Sequence, residues 1–231
     1  MDKELGKRKA AEEAATYVED GMTLGLGTGS TAAHFIDILR DRIAGGWVLR
    51  GVPTSEETKR LAVAAGVEII APDETTVLDL AVDGADEADP NLNLVKGGGG
   101  ALLREKIVAA AAKRFIVIAD KTKRVAHLGA FPLPVEIDAF AWPLTVARIR
   151  EALAIHGFAA PGLTLRGGPG ARAATDGGNY IVDCALGRID APAALNDALC
   201  ALPGVIETGL FCAMADMAIF GDETGVTVER A

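Results

Sequence analysis

Several short stretches of this 231-residue chain carry the residue types that chemistry needs. GLGTGST (25–31) sets three glycines at alternate positions beside Thr28, Ser30 and Thr31. It follows an apolar run and opens a helical pattern, so its backbone N–H groups and the helix dipole favour an anion. The spacing is not that of a dinucleotide loop, and the P-loop lysine is missing. A dinucleotide site also wants an acidic residue about 20 positions on. Here the next strand runs into Gly51-Val52-Pro53-Thr54-Ser55, with no carboxylate before Glu56. A hydroxyl-rich turn suits a compact phosphate; a tight turn without ligand is the plainer alternative.

VDGADEAD (82–89) follows the apolar run VLDLAV, so Asp83 and Asp86 are expected at a strand's carboxyl end, where open α/β sheets bind ligands. Carboxylates there suit proton transfer or hydrogen bonds to sugar hydroxyls. An acidic surface loop is the alternative, and the full EF-hand pattern is absent. KGGGG (96–100) is the most unusual stretch: four glycines cost backbone entropy and make sense where a backbone approaches a ligand, with Lys96 bringing positive charge. Glu105 lies five residues past the last of those glycines, between Arg104 and Lys106, and by composition alone reads as an ordinary solvated residue. ADKTKR (119–124) sets Asp120, Lys121 and Lys123 at the end of another apolar run. Each signal is modest, but all of them follow predicted strands or precede predicted helices, and one crevice is expected to gather them.

The elements that position these residues follow from periodicity. Leu5, Ala10, Ala14 and Val18 recur at helical spacing over 3–19, with Gly21 as a stop. MTLGLG, WVLRGV, VEII, VLDLAV and RFIVIAD read as strands. Ser30 or Thr31 is expected to cap a helix containing Phe35, Ile38, Leu39 and Ile43, and Thr54 with Glu57 forms a capping-box pattern for the next. ALLREKIVAAAA is a further helix. Alternating helices and all-apolar strands imply an α/β fold, an open, mostly parallel, Rossmann-like sheet covered on both faces. After FPLP the order changes to β-α-β-β-α-β: PVEID, PLTVARIREALAIHG, LTLR, the turn GGPGARAATDGG, NYIVDCAL, PAALNDALCALPG and VIETGLF. That is the split βαβ of a smaller ferredoxin-like α+β unit. The expected division is a catalytic domain over 1–130 plus 208–231, whose tail adds one or two strands to the first sheet, and a second domain over 131–207.

Composition narrows the function. Half the residues are hydrophobic, enough for sizeable cores, and the net charge of −9 argues against non-specific nucleic-acid binding. An anionic substrate therefore needs locally concentrated donors. No 18-residue apolar run or signal-peptide pattern is present, so no membrane partner is expected. Three widely spaced cysteines (Cys184, Cys200, Cys212) and three scattered histidines (His34, His127, His156) suggest neither a disulfide framework nor a metal site, and a cytoplasmic location is expected.

Taken in order, GLGTGSTAAHFI, GVPTSEET, LAVDGADEAD, LVKGGGGALLREKIV, FIVIADKTKRV, LPVEI, TDGGNYIVD and LPGVIETGLF resemble the ribose-5-phosphate isomerase A family across essentially the whole chain. One departure is Gly177, where the family commonly has Asn. The resemblance implies cofactor-independent interconversion of D-ribose 5-phosphate and D-ribulose 5-phosphate, in the non-oxidative pentose phosphate pathway, and a homo-oligomer with a dimer favoured. It also implies that Thr28, Gly29, Ser30 and Thr31 form a substrate loop, that Asp83, Gly84, Ala85 and Asp86 line the sugar site with Lys96, Gly97, Gly98 and Gly99, and that Lys123 is a further substrate contact. Glu105 becomes the general base, contrary to its composition. Asp83 is the candidate for ring opening, Asp86 for orienting hydroxyls, Lys96 for stabilising an enediolate, and Lys7 with Ser30 and Thr31 for assisting Lys123 at the phosphate. Two rival readings are a sugar-phosphate sensor, which would need a DNA-binding extension, and an acyl transferase with Glu105 as nucleophile.

Overall fold

The computed structural model describes residues 2–168 and 174–231. The chain runs α1 (Lys3–Ala15), β1 (Thr23–Leu26), α2 (Ser30–Ala44), β2 (Arg50–Pro53), α3 (Glu56–Ala64), β3 (Glu68–Ile69), β4 (Leu80–Gly84), β5 (Glu87–Ala88), β6 (Leu94–Val95), α4 (Leu102–Ala111) and β7 (Phe115–Asp120). A 3-10 turn over Lys121–Lys123 follows. Then come β8 (Leu133–Ile137), α5 (Trp142–Ile155), β9 (Gly162–Leu165), β10 (Tyr180–Ala185), α6 (Pro192–Cys200), β11 (Val205–Thr208), β12 (Leu210–Phe211), β13 (Met217–Gly221) and β14 (Val226–Arg230). Among the described residues no helix is long and apolar enough to cross a membrane.

The chain divides into two compact units. The first comprises Met1–Ala85, Arg104–Arg124 and Ala213–Ala231; the second comprises Asp86–Leu103 and Val125–Cys212. The sequence reading put residues 86–103 in the first domain. The structure groups them with the second, because β5 pairs with β6 and β6 with β12, and it places 125–130 and 208–212, also expected in the first domain, there as well.

The first unit is built on a seven-stranded sheet of order β14-β13-β7-β4-β1-β2-β3, parallel except for the antiparallel edge strand β14. Every residue of β1, β7 and β13 is buried, which is why these runs are continuously apolar and not alternating. Leu24, Leu26, Val82, Ile116, Ile118 and Ile219 share one core with Phe35 and Leu39 of α2. Each such side chain contributes about 1.5–3 kcal/mol of burial. The face of α1 in that core is Ala10, Ala11, Ala14 and Ala15, while Leu5, expected on the same stripe, is 39% exposed. Two caps also differ from expectation. Gly29, not Ser30 or Thr31, is the N-cap of α2, and Ser55, not Thr54, caps α3 by accepting from the Thr58 amide at 3.0 Å. Thr54 is instead drawn back toward β1, where its hydroxyl donates to Leu26 O at 3.1 Å.

The second unit contains a four-stranded antiparallel sheet of order β11-β8-β10-β9. With α5 and α6 this is the ferredoxin-like β-α-β-β-α-β arrangement. Leu133, Val135 and Ile137 of β8 join Ile149, Leu153, Val182 and Leu199 in its core. The residue between them, Glu136, accepts from the Thr175 hydroxyl and the Asn179 amide, both at 2.9 Å, and so ties down the turn that precedes β10. Residues 169–173 of the glycine-rich turn lie outside the described residues. At Gly177 an added Cβ would meet only ordinary contacts at 3.5 Å or more, so the turn has room for a side chain at this position. VIETGLF, expected as one strand, splits at Gly209 into β11, paired with β8, and β12, paired with β6. An added Cβ at Gly209 would lie 2.3 Å from Lys96 O, so only glycine lets the chain change sheets there.

Cys184 is fully buried on β10, and that burial, reinforced by neighbouring Asp183, pushes its thiol up to about 12. The buried neutral form favours folding. That contribution is complete below the thiol's ordinary value of 9.0 and is lost as pH rises toward about 12. Titration of the native protein with a thiol reagent at pH 8 should therefore modify exposed Cys200 and leave Cys184 unmodified until denaturant is added; modification of Cys184 at the rate of Cys200 would contradict this packing.

Candidate active site

The strand order of the first unit reverses between β1 and β4, and that switch point is where open α/β sheets bind ligands. Gly27 and Thr28 leave the carboxyl end of β1, and Asp83 stands on β4 beside them. Asp83 is 4% exposed, and its Oδ1 accepts from the amides of Thr28 at 3.1 Å and Gly84 at 2.7 Å. An added Cβ at Gly27 would lie 2.1 Å from that same oxygen, so glycine is required for the carboxylate to sit there.

The loop is supported from the side by hydroxyls. Thr28 Oγ1 lies 2.7 Å from Thr54 Oγ1, 2.9 Å from Ser55 Oγ and 3.1 Å from Thr58 Oγ1. Thr58 Oγ1 in turn donates to Gly27 O at 2.9 Å. Thr28 is thus committed through both its amide and its hydroxyl to holding the turn. Ser30 lies on the other flank, where Lys7 donates to its hydroxyl at 2.9 Å and to Glu4 at 2.6 Å. The Lys7 ammonium, with His34 beside it, holds the Glu4 carboxyl below its usual range. At the end of β7, Asp120 caps the 3-10 turn by accepting from the Thr122 amide at 3.0 Å. Lys121 reaches away from this turn to Asp222 at 2.8 Å, and this bond, with those from Thr224, holds the Asp222 carboxyl well below the usual carboxylate range. Lys123 ends the turn, half-buried.

Glu105 stands in the first turn of α4 and is only 4% exposed. The solvated role that composition suggests is therefore wrong. Its neighbour Arg104 faces Glu56, at 3.1 Å, while the helix turns Glu105 inward.

The second unit carries the remaining residues. Lys96 follows β6 and is 2% exposed, its ammonium 5.4 Å from the centre of the Phe211 ring and its amide bonded to Gly209 O at 2.8 Å. A buried ammonium over an aromatic face is partly compensated for lost hydration. The glycine loop that follows has a built conformation. Gly97 has φ +102, which favours glycine, and Gly98 donates its amide to Asp86 Oδ2 at 2.8 Å, so closely that a Cβ there would meet the carboxylate at 2.7 Å. Gly99 carries the turn on toward Gly100, whose amide returns to Gly97 O at 3.0 Å. Asp86, expected to orient hydroxyls, is thus engaged with the loop backbone.

Sequence reasoning missed what holds this loop from the other side. Arg166, just past β9, donates through Nη1 to Gly97 O at 2.8 Å and Gly98 O at 3.3 Å. Its remaining edge pairs with both carboxylate oxygens of Asp183 on β10. The available signal was Asp183 itself, a charge inside the otherwise apolar strand YIVDCA. A planar fork that meets a carboxylate and two carbonyls at once has no lysine equivalent. Arg166→Lys should therefore loosen the loop, with hydrogen exchange at Gly98 and Gly100 faster by about tenfold or more for a loss near 1.4 kcal/mol; unchanged exchange would show that the loop holds itself.

Comparison with known proteins places this geometry. A family model described as ribose 5-phosphate isomerase A (phosphoriboisomerase A) matches residues 50–225. The ribose-5-phosphate isomerase A of Rhodopseudomonas palustris strain BisB18 is 52% identical over 222 residues, which cover 96% of each chain. That of Brucella suis is 52% identical over 226 residues, 97% of each chain. A D-ribose-5-phosphate isomerase solved in complex with phospho-erythronic acid superposes with a TM-score of 0.92 at 42% identity, covering 100% of both chains. The ribose 5-phosphate isomerase A of Methanocaldococcus jannaschii gives 0.88 at 39% identity, covering 97% of this chain and 98% of its own. With the switch-point loop, the carboxylates and the glycine loop carried on a fold shared end to end with such relatives, the chain belongs to the ribose-5-phosphate isomerase A family.

Proposed function

We infer how these residues run the family's reaction, the interconversion of D-ribose 5-phosphate and D-ribulose 5-phosphate in the pentose phosphate pathway. The observation that carries the reading is Glu105: a carboxylate buried on a helix whose preceding residue, Arg104, faces outward to Glu56. Burying an ionisable group is costly, and such groups concentrate where protons are moved.

Isomerisation shifts one proton between C2 and C1 of the open-chain sugar. The Glu105 carboxylate takes the C2 proton, and the C–H electron pair becomes the C1–C2 double bond of a cis-enediolate. The same carboxyl returns its proton to C1 while the hydroxyl proton of O2 passes to O1, so that the C2 oxygen becomes the carbonyl and O1 the new hydroxyl. The charge on the enediolate oxygens is met by the Lys96 ammonium and the amides of Gly97 and Gly99, donors fixed before the reaction and so requiring little reorganisation, while Gly98 lines the site with its amide held by Asp86. The support for this set is that its backbone is braced by Asp86 and Arg166. Phospho-erythronic acid, bound by the relative noted above, fits the same logic. With its phosphate matched to that of the sugar, its four carbons put the carboxyl carbon at the place of C2, where the planar, charged carboxylate resembles the C1–C2 end of the enediolate.

The furanose opens first, and Asp83 moves that proton between the anomeric hydroxyl and the ring oxygen. The anchoring of its Oδ1 by two amides fixes its orientation for the task. Gly84, Ala85 and Asp86 continue along the sugar. Lys123 holds the phosphate, with Ser30, Thr31, Gly29 and Lys7 at the head of α2 adding donors; Thr28 acts by keeping that turn in shape. Phosphate binding then positions C1 and C2 at Glu105. We take the working form to be a homo-oligomer, a dimer, in the cytoplasm.

The deciding measurement is turnover of D-ribose 5-phosphate in metal-free buffer by the wild type and Glu105→Gln. The variant should bind substrate with KM little changed and lose about 10²–10⁴ of kcat. Retained turnover would assign the base elsewhere, and a folded wild type without turnover would remove the reading. Asp83→Asn should reduce kcat/KM for cyclising ribose 5-phosphate more than for an acyclic analogue that cannot close a ring. Equal losses would take ring opening away from Asp83.

A further inference from the structure

The outward side of α5 carries an arrangement that catalysis does not explain. Leu144, Arg148, Glu151 and Ile155 recur at i, i+4, i+7 and i+11, which places them on one stripe of the helix. Leu144 is 71% and Ile155 84% exposed, and Phe140, just before the helix, is 86% exposed. The opposite side, with Thr145, Ile149, Ala152 and Leu153, is buried in the core of its own unit. Beside the stripe runs a groove of about 610 Å³ whose apolar walls are Phe140, Leu144, Leu202 and Pro203.

The order of the stripe is apolar, basic, acidic, apolar, and its spacing is symmetric about its own midpoint. Leu144 and Ile155 lie equally far from that point, and so do Arg148 and Glu151. A two-fold axis through the midpoint therefore sets Leu144 against the partner's Ile155 and Arg148 against the partner's Glu151, each contact made twice. This is the requirement for an isologous interface. A parallel arrangement would bring Arg148 onto Arg148 and Glu151 onto Glu151, so charge selects the antiparallel one. In the single chain, Arg148 and Glu151 already pair at 3.0 Å, both well exposed. Docking would convert two such pairs into an alternating square of four charges. We propose that this stripe is a docking surface for a second copy of this chain, with α5 packed antiparallel on α5 and Ile155 of each copy seated in the other's groove.

The proposal specifies the surface of the homo-oligomer inferred above and is independent of the catalytic assignments, so activity and assembly are measured separately. Leu144→Cys and Ile155→Cys are combined in the full chain with Cys200→Ser. Within one chain the two positions are about 16 Å apart along the helix, beyond the reach of a disulfide, so any bond between them joins two chains. Mild oxidation should convert most of this variant into a covalent dimer that reductant releases, while either single cysteine alone should not cross-link. In sedimentation, Arg148→Glu should weaken this association at least about tenfold, because it sets a carboxylate against Glu151 of the partner subunit. Adding Glu151→Arg should restore it. Circular dichroism and turnover of ribose 5-phosphate report folding and activity for each variant. Absence of the cross-link, or equal masses for Arg148→Glu, its double reversal and the wild type, would overturn the assignment.

Discussion

The first unit depends on one close approach, the carboxylate of Asp83 seated against the backbone of the β1 turn. Its Oδ1 takes two amides, from Thr28 and Gly84, and leaves no room for a Cβ at Gly27. These contacts fix where β1 ends, how the chain turns into α2 and where the head of α2 points. The four-hydroxyl cluster of Thr28, Thr54, Ser55 and Thr58 then carries the constraint to β2 and α3. A parallel sheet supplies this at low cost because neighbouring strands deliver their carboxyl ends to the same edge.

The second unit solves a different problem, the control of a backbone that has no side chains to pack. Glycines at 97–100 let the loop turn and let Gly98 approach Asp86, but they also leave it entropically expensive to hold. Asp86 takes an amide from one side and Arg166 takes two carbonyls from the other, and Asp183 orients the guanidinium. Sheet pairing adds to this through Lys96, whose amide bonds Gly209 at the point where the chain passes from β11 to β12. The loop is therefore as well determined as a strand, although its sequence looks like a linker.

What could be read from the sequence follows the range of the interactions. The buried parallel strands, the helices between them and the β-α-β-β-α-β order were legible because each depends on local periodicity. Two short strands were not: Glu87–Ala88 and Leu94–Val95 are two residues each and exist through pairing with each other, and of Leu94–Val95 with Leu210–Phe211 more than a hundred positions away. The α3 cap shifted by one residue because Thr54 and Ser55 are chemically near-equivalent: Thr28 reaches both, and the bond from Thr54 to Leu26 O leaves Ser55 to take the Thr58 amide. Glu105 shows the limit most plainly, since Arg104, Glu105 and Lys106 are alike in composition and differ only in which way α4 turns them. The residues that carry chemistry were visible as types; their braces, Arg166 and Asp183, were not, because a brace is defined by its partner.

The strand order 3-2-1-4 around the switch point is that of dinucleotide-binding sheets, and the first turn is glycine-rich, yet the ligand implied is a small sugar phosphate. The difference lies at the end of β2. A dinucleotide fold keeps a carboxylate there for the ribose hydroxyls, whereas this chain has Thr54 and Ser55 turned inward onto Thr28. That place is spent on supporting the loop and is closed to an adenosine ribose. What remains at the head of α2 is a compact set of donors, the amides of a short turn with Ser30 and Lys7, on a protein whose net charge is −9. Against that field, binding has to come from donors concentrated at one point, which suits a single phosphate better than an extended diphosphate.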